Sequence, residues 1–325
     1  TTGGSITFDQ LEPGAWEVRE LAGIEGWKAV TDTVQTVNVV SGEESTATII
    51  NEELPGLRVI KYDRKTMELM PDVAFEIFRD NVSLGIFRTN EQGEILLVNQ
   101  PEGSYRIEER NPGDDEHIID TTPQYAELTT GMGIVERVFY NDQLPGIHLI
   151  KVDSADLSKP IANVKFRIEA VDGSWGPEEY TTSEDDGTID LSKLPVGAYV
   201  VTELECPGYV IDEAHRIIHL DGNETAQFVF TNSKLPSLRL TKISSDGSAL
   251  AGVTYSRARI EDGSRYMDQT TSSTGTIIWE GLQPGVYSLK ETDTVSDHIL
   301  DEKEYHVELF PGKDSTIVLE NDKRP

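Results

Sequence analysis

Short apolar runs alternate with polar clusters along the whole chain. Runs such as residues 59–62, 94–98 and 253–255 are rich in β-branched or aliphatic residues, and Gly, Asp, Asn and Pro separate them. This pattern is typical of β-strands, and no long apolar pattern with the 3.6-residue period of a helix is visible. Short, evenly spaced strands predict an all-β protein made of β-sandwiches.

One phrase recurs four times along the chain. It consists of a glycine, a second glycine ten residues later, an aromatic residue two positions on, and a glutamate six positions after the second glycine. The glutamates of the four copies are Glu20, Glu109, Glu203 and Glu291. An apolar run then ends in asparagine 29 to 32 residues after each glutamate, at Asn51, Asn141, Asn232 and Asn321. A repeat of this kind predicts a tandem array of similar domains.

Leu-Pro junctions separate the repeats, and they begin at Leu54, Leu144 and Leu235. Each junction leads into a strand that carries a lysine, and these are Lys61, Lys151 and Lys242, spaced 90 and 91 residues apart. We therefore expect a partial repeat at residues 1–54 and complete repeats at 55–144, 145–235 and 236–325. The partial repeat has no lysine strand and opens mid-repeat, so we expect the chain to be a fragment of a longer array.

Polar residues continue the apolar faces of the predicted strands. Alternate residues of a strand share one face, and Leu57, Val59 and Lys61 form such a series. The glutamates and most of the asparagines end similar series. The lysine-to-asparagine spacing is 79 to 81 residues, and the lysine-to-glutamate spacing is 48 to 52. Since buried polar groups without partners are costly, we expect the three side chains to meet inside each sandwich.

Burial gives such a trio a reactive character. Desolvation lowers the pKa of a lysine and raises that of a glutamate, and a neutral amine is a nucleophile. A protonated glutamate can polarise the asparagine carbonyl and carry protons. Attack of the amine on the asparagine Cγ would expel ammonia and leave a Lys–Asn amide. The alternative is a buried salt bridge with a hydrogen-bonded amide and no covalent bond.

The sequence therefore assigns one reactive trio to each complete repeat. The expected catalytic glutamates and crosslinked pairs are Glu109, Glu203 and Glu291, with Lys61–Asn141, Lys151–Asn232 and Lys242–Asn321. Glu20 and Asn51 have no lysine in their repeat, so we expect no bond between them. Each domain would react once, without a cofactor, so the chain is not an enzyme in the ordinary sense.

Composition and charge exclude several kinds of binding partner and site. The chain has 325 residues and a net charge of −30, which disfavours nucleic acid and anionic membrane surfaces. No apolar run reaches the roughly 18 residues needed for a membrane span. Cys206 is the single cysteine, so an intrachain disulfide is excluded, and we expect an unremarkable thiol. His215 and His219 share one strand face, and an exposed face is favoured over a metal pair because no third ligand is evident.

The repeats resemble the B-type repeats of Gram-positive collagen-binding adhesins, the CnaB or SpaA-type domains with a prealbumin-like fold. The matching features are the Lys-x-Asp starts at Lys61 and Lys151, the phrase from Pro284 to Glu291, and the apolar-x-Asn ends. The resemblance implies tandem immunoglobulin-like or prealbumin-like sandwiches with intramolecular isopeptide bonds. Ser244 departs from the pattern, because an aspartate is expected at that position.

The resemblance also implies a structural role on the cell surface. We expect a stalk segment of an adhesin or pilin, extracellular and attached to the cell wall through a parent protein. Its partners would be neighbouring domains, and the bonds would give mechanical and proteolytic stability. The alternative is a module that binds a host protein or glycan through loops at a sandwich end, with Trp175 and Trp279 as exposed contacts. An enzyme on a transthyretin-like fold is disfavoured, since no set of acid, base and nucleophile is evident.

Overall fold

The computed structural model describes residues 4–325, which form β-strands joined by turns and loops. The all-β class predicted from the sequence is confirmed. The chain divides into two units, one ending at Leu144 and the other running from Pro145 to Pro325. Nowhere in the described part of the chain is a helix long and apolar enough to cross a bilayer.

Residues 4–54 form two small antiparallel sheets. Their strands are β1 (Gly14–Arg19), β2 (Trp27–Ala29), β3 (Val34–Val39) and β4 (Asn51–Glu53). β1 pairs with β3, and β2 pairs with β4. Several large apolar side chains of this segment are exposed, including Ile6, Phe8, Leu21 and Ile24.

Residues 56–143 form a sandwich of two four-stranded sheets. Its strands are β5 (Gly56–Asp63), β6 (Ala74–Arg79), β7 (Val82–Arg88), β8 (Glu94–Leu97), β9 (Gly103–Asn111), β10 (His117–Ile118), β11 (Gln124–Leu128) and β12 (Ile134–Gln143). The strand orders are β10-β12-β5-β8 and β11-β9-β6-β7. Leu57, Phe75, Tyr105 and Phe139 belong to the buried core.

The second unit begins with a similar sandwich. Its strands are β13 (Gly146–Asp153), β14 (Asp156–Pro160), β15 (Lys165–Ala170), β16 (Glu178–Thr181), β17 (Thr188–Leu191), β18 (Gly197–Glu205), β19 (Tyr209–Ile211), β20 (His215–Leu220) and β21 (Thr225–Lys234). One sheet has the order β14-β13-β21-β19, with β17 also paired to β13, and the other has the order β16-β15-β18-β20. Phe166, Tyr199 and Phe230 lie in its core.

The remaining strands form another sandwich in the second unit. They are β22 (Leu238–Ser244), β23 (Thr254–Arg259), β24 (Arg265–Thr270), β25 (Thr276–Trp279), β26 (Gly285–Asp293), β27 (Glu304–Leu309) and β28 (Ser315–Asn321). The strand orders are β25-β22-β28 and β24-β23-β26-β27. Leu240, Tyr255, Trp279 and Tyr287 are buried between these two sheets.

The first and last strands of each sandwich pair in parallel, although most other pairs are antiparallel. β5 pairs with β12, β13 with β21, and β22 with β28. The register is the same each time, because each lysine lies opposite the residue two positions before the asparagine: Phe139, Phe230 or Leu319. Side chains two residues apart share a face of the sheet, so lysine and asparagine become diagonal neighbours in the core.

The recurring phrase fixes the lysine strand through its first glycine. The amides of Lys61, Lys151 and Lys242 donate to the carbonyls of Gly93, Gly187 and Gly275 at 2.9, 2.9 and 2.7 Å. These glycines have φ values of 65°, 68° and 70°. A Cβ atom there would lie only 3.0, 2.8 or 2.5 Å from the lysine carbonyl oxygen. Glycine therefore meets both the backbone conformation and the close approach that this contact requires.

The aromatic residue of the phrase forms the same hydrogen bond in all four repeats. The hydroxyls of Tyr105, Tyr199 and Tyr287 donate to the carbonyl four residues earlier at 2.8–2.9 Å. In the first repeat the Trp16 indole nitrogen donates to the carbonyl of Glu12 at 2.8 Å. The bond anchors the start of the strand that carries the glutamate.

Candidate functional site

Each sandwich brings one lysine, one glutamate and one asparagine together in its core. The lysine and the asparagine come from the parallel strand pair of one sheet, and the glutamate comes from a central strand of the facing sheet. We call these clusters the first site (Lys61, Glu109, Asn141), the second site (Lys151, Glu203, Asn232) and the third site (Lys242, Glu291, Asn321). All three lysines are fully buried, and the glutamates and asparagines are at least 96% buried.

The first site has the tightest network. Lys61 Nζ donates to Glu109 Oε2 at 2.7 Å and to Asn141 Oδ1 at 2.5 Å. Asn141 Nδ2 donates to the other carboxyl oxygen, Glu109 Oε1, at 2.6 Å. Burial lowers the pKa of Lys61 and raises the pKa of Glu109, although their mutual contact opposes both shifts. Both shifts favour a neutral amine beside a neutral acid.

The second site has the same two contacts to its glutamate, but a backbone amide takes the place of the lysine at the asparagine carbonyl oxygen. Lys151 Nζ donates to Glu203 Oε2 at 3.0 Å, and Asn232 Nδ2 donates to Glu203 Oε1 at 2.6 Å. The backbone amide of Asp212 donates to Asn232 Oδ1 at 3.2 Å, which polarises the carboxamide carbonyl. Burial again lowers the pKa of the lysine and raises that of the glutamate.

The third site differs in its hydrogen bonds. Lys242 Nζ lies 3.0 Å from Glu291 Oε2 as an ion pair, and Asn321 Nδ2 donates to Glu291 Oε1 at 2.6 Å and to Thr294 Oγ1 at 3.0 Å. Within residues 4–325, Lys242 Nζ and Asn321 Oδ1 have no aligned hydrogen-bond partner. A hydroxyl, that of Tyr255, donates to Glu291 Oε2 at 3.0 Å.

Aromatic rings cover the lysine amines. Lys61 Nζ lies 5.9 Å and 6.0 Å from the ring centres of Phe75 and Phe139. Lys151 Nζ lies 5.9 Å from Phe230, and Lys242 Nζ lies 5.7 Å from Tyr255. The rings exclude water from the reactive groups while offering a π face to the cationic form.

The residue two positions after each lysine holds a second polar contact that the sequence did not predict. Asp63 lies 3.0 Å from His117 Nε2, Asp153 accepts from the Tyr209 hydroxyl at 3.2 Å, and Ser244 Oγ lies 2.9 Å from His298 Nε2. Ser244 replaces the aspartate of the Lys-x-Asp pattern, yet it has a polar partner at the same place. These contacts join residues 54 to 56 positions apart, so the sequence signal was only a recurring polar residue.

The partial repeat contains the glutamate and the asparagine without the lysine. Asn51 Nδ2 donates to Glu20 Oε1 at 3.2 Å, as in the complete sites. Glu20 Oε2, the oxygen that faces the lysine elsewhere, is buried and has no hydrogen-bond partner among residues 4–325. The pair therefore keeps the orientation seen in the complete sites.

Comparison with models of known protein families identifies the family of this chain. The model described as SpaA, a prealbumin-like fold domain, matches residues 145–234 and 236–323. The chain belongs to this family. The resemblance stated from the motifs is thereby confirmed, and residues 56–143 carry the same trio outside the matched SpaA domains.

Solved structures with similar folds include three from Gram-positive bacteria. The Bacillus anthracis TIE protein shares 20% sequence identity with this chain at a TM-score of 0.36. The match covers 91% of this chain and 57% of that structure. A streptococcal ancillary pilin shares 18% sequence identity at a TM-score of 0.34, and the match covers 84% of this chain and 100% of that structure. The minor pilin GBS52 of Streptococcus agalactiae shares 19% sequence identity at a TM-score of 0.32, and the match covers 55% of this chain and 96% of that structure. No protein with a curated description matches the chain.

The structure contradicts the prediction of exposed tryptophans. Trp279 is 4% exposed, because it lies two residues after Ile277 and shares with it the inner face of β25. Trp175 is half-buried, packs on the core and makes an edge contact with Tyr199, 5.7 Å between ring centres. Neither side chain is a free platform for a host ligand.

The remaining candidates carry no site. His215 and His219 are exposed on β20, as the strand pattern predicted. Cys206 is buried, and burial raises the pKa of its thiol to about 11, so the thiol stays protonated at neutral pH. Within the described chain, no group of three or more His, Cys, Asp and Glu side chains is arranged to hold a metal ion.

Proposed function

We propose that the chain is a stalk segment of a bacterial surface protein, and that each complete repeat forms an isopeptide bond between its lysine and its asparagine. One observation carries the proposal. Three fully buried amines each lie 2.7–3.0 Å from a carboxyl oxygen whose partner oxygen accepts from the asparagine amide at 2.6 Å. A structural salt bridge would need no carboxamide on the second oxygen in every copy.

The proposed reaction follows from the position of each group. The glutamate takes a proton from the lysine ammonium, so that a neutral amine faces the asparagine Cγ. The Nζ–Cγ bond forms, the glutamate returns the proton to Nδ2, and the Cγ–Nδ2 bond breaks. The attacking nitrogen loses its extra proton to the carboxylate, ammonia leaves, and an amide remains. Proximity within a rigid core replaces much of the barrier, and each site reacts once.

The bond would stabilise domains that have no disulfide. It would close a loop of 79 to 81 residues between the linked side chains. By analogy with disulfide loop closure, such a link contributes about 4–5 kcal/mol by restricting the unfolded chain. This is a large contribution for domains of about 90 residues, whose total stability is modest.

A surface location accounts for the remaining features. The SpaA family match, the tandem sandwiches and the net charge of −30 suit an extracellular rod held to the cell wall through a parent protein. We place the domain boundaries at the Leu-Pro junctions, giving repeats at 55–144, 145–235 and 236–325 after the partial repeat. The partners would be the neighbouring domains of that parent protein. The acidic surfaces of neighbouring molecules would repel one another and keep such an array soluble.

Intact mass under denaturing conditions tests the proposal. We expect a deficit of three ammonia equivalents relative to the sequence mass, with peptide mapping assigning one to each site. Glu109→Ala, Glu203→Ala and Glu291→Ala should each restore one equivalent. Glu20→Ala is the matched control and should restore none. A mass equal to that of the sequence would establish the buried salt bridge instead.

A further inference from the structure

The third site differs from the other two in the ring opposite its glutamate. On the strand beside the glutamate strand, Phe75 pairs with Glu109, Phe166 with Glu203 and Tyr255 with Glu291. The register shifts at the same place in all three sandwiches, immediately before this ring. Tyr255 therefore adds one hydroxyl to a position that is otherwise the same.

That hydroxyl contacts the reactive oxygen of the glutamate. Tyr255 Oη donates to Glu291 Oε2 at 3.0 Å, and the same oxygen lies 3.0 Å from Lys242 Nζ. Tyr255 is 1% exposed, and burial together with the neighbouring Glu291 raises its phenol pKa. The phenol thus stays protonated and acts as a hydrogen-bond donor. Phenylalanine brings no hydroxyl to the other two glutamates, although the Cys206 side chain also contacts Glu203 in the second site.

We propose that Tyr255 is a positioning residue that occupies Glu291 Oε2, the oxygen nearest the Lys242 amine, and slows amide formation at the third site. This inference rests on the proposed function. The hydroxyl already donates to this oxygen, so its hydrogen bond must be given up before the oxygen takes the lysine proton. The proton transfer that precedes attack is therefore less favourable at this site.

The hydrogen bonds of the third site agree with a slower reaction. In the first site Lys61 Nζ contacts the carbonyl oxygen of its target, Asn141, at 2.5 Å. In the third site the corresponding oxygen, Asn321 Oδ1, has no hydrogen-bond partner within residues 4–325. The Asn321 carbonyl is therefore less polarised for attack.

The test follows the three bonds separately in the full chain. Cell-free synthesis would be quenched in acid at intervals, and peptide mapping would give the linked fraction at each site. We expect the third site to lag, and Tyr255→Phe to speed it by about tenfold, because a hydrogen bond to a charged group contributes roughly that much. Phe166→Tyr is the reciprocal variant, and it should slow the second site while leaving the first unchanged.

The retained ring separates this role from a packing role. Tyr255→Phe keeps the buried ring and removes only the hydroxyl that donates to Glu291 Oε2. A faster third site would therefore assign the effect to that hydrogen bond, whereas a packing role predicts no acceleration.

The outcomes distinguish the two proposals. If no site loses ammonia, the proposed function fails, and this inference fails with it. If the first two sites react but Tyr255→Phe leaves the rate of the third unchanged, only the role of Tyr255 is wrong. Phe166→Tyr decides the case in which Tyr255→Phe disturbs folding, because slowing at the second site supports the role and an unchanged rate overturns it.

Discussion

Residues 4–54 and residues 56–143 carry the same phrase with different results. Both hold a glutamate that accepts from an asparagine amide, at 3.2 Å for Glu20 and 2.6 Å for Glu109. Both anchor an aromatic side chain on a carbonyl four residues earlier. Yet Ile6 and Phe8 are more than 60% exposed, whereas Leu57 and Val59 are fully buried.

The difference lies in the lysine strand. β5 pairs with both β12 and β8 and supplies Leu57, Val59 and Lys61 to the inner face of its sheet. Residues 4–54 have no strand with that pattern. The glutamate–asparagine pair therefore takes its orientation from its own strands, while the lysine strand closes the core and completes the charge balance.

Removing the lysine should give the largest effect. Lys61→Met leaves Glu109 buried without its lysine partner, which alone costs about 3–5 kcal/mol, and it also removes the proposed bond, so the total loss should be larger. Hydrogen exchange of β5 and β9 amides, read by mass spectrometry, would report the loss. Lys28→Met is the control, because Lys28 pairs with Glu102 at an exposed position, where solvent screening leaves little stability to lose. Equal losses would contradict the assignment of the core to the lysine strand.

The Lys61→Met deficit should also depend on pH. Burial raises the pKa of Glu109 above its ordinary value of 4.5. A raised pKa favours the folded state at low pH, and this contribution is lost as pH rises through the folded-state value. The variant should therefore lie closest to the unsubstituted chain below about pH 4.5. A deficit that grows on acidification would contradict the raised pKa.

A glycine comparison should give a smaller effect. Gly93 and Gly42 both have positive φ, 65° and 81°, but a Cβ at Gly93 would lie 3.0 Å from the Lys61 carbonyl oxygen, and at Gly42 it meets nothing within 4 Å. We expect Gly42→Ala to cost about 1 kcal/mol of backbone strain, and Gly93→Ala about 3 kcal/mol. Local hydrogen exchange around each site is the measurement. If both variants cost the same, the contact with the lysine strand contributes nothing.

The ion pair between the two regions should give the smallest effect. Hydrogen bonds from Lys28 and Thr130 lower the pKa of the exposed Glu102 carboxyl to about 2. A lowered pKa contributes stability that is present above 4.5 and is lost as pH falls through about 2. An NMR titration of Glu102 should show that midpoint, and Lys28→Ala should move it towards 4.5. A midpoint near 4.5 in the unsubstituted chain would show that the pair is absent in solution.

Much of the fold was predictable because its signals are local or periodic. Alternation placed Lys61 on the face of Leu57 and Val59, and constant spacing linked it to Glu109 and Asn141. The all-β class and the SpaA resemblance followed from the same phrases. The three lysines are buried, as the alternation of apolar and polar residues predicted. The bond assigned to them stays a proposal.

The errors and omissions have physical reasons. The prediction of an exposed Trp279 is wrong because Trp279 lies two residues after Ile277 on the buried face of β25. The His117–Asp63 and His298–Ser244 contacts depend on where loops return to the sheet, which periodicity does not encode. Tyr255 gave no sequence signal, because its hydroxyl reaches Glu291 through the pairing of two strands that lie 36 residues apart in the chain.

In every complete repeat the first and last strands run side by side in the same direction. The chain therefore enters one end of a sheet and leaves at the other. A pull on the two ends slides these strands past each other instead of peeling them apart, so their backbone hydrogen bonds must yield together. Such a shear arrangement makes each sandwich stiff and hard to extend, independently of the proposed covalent bond.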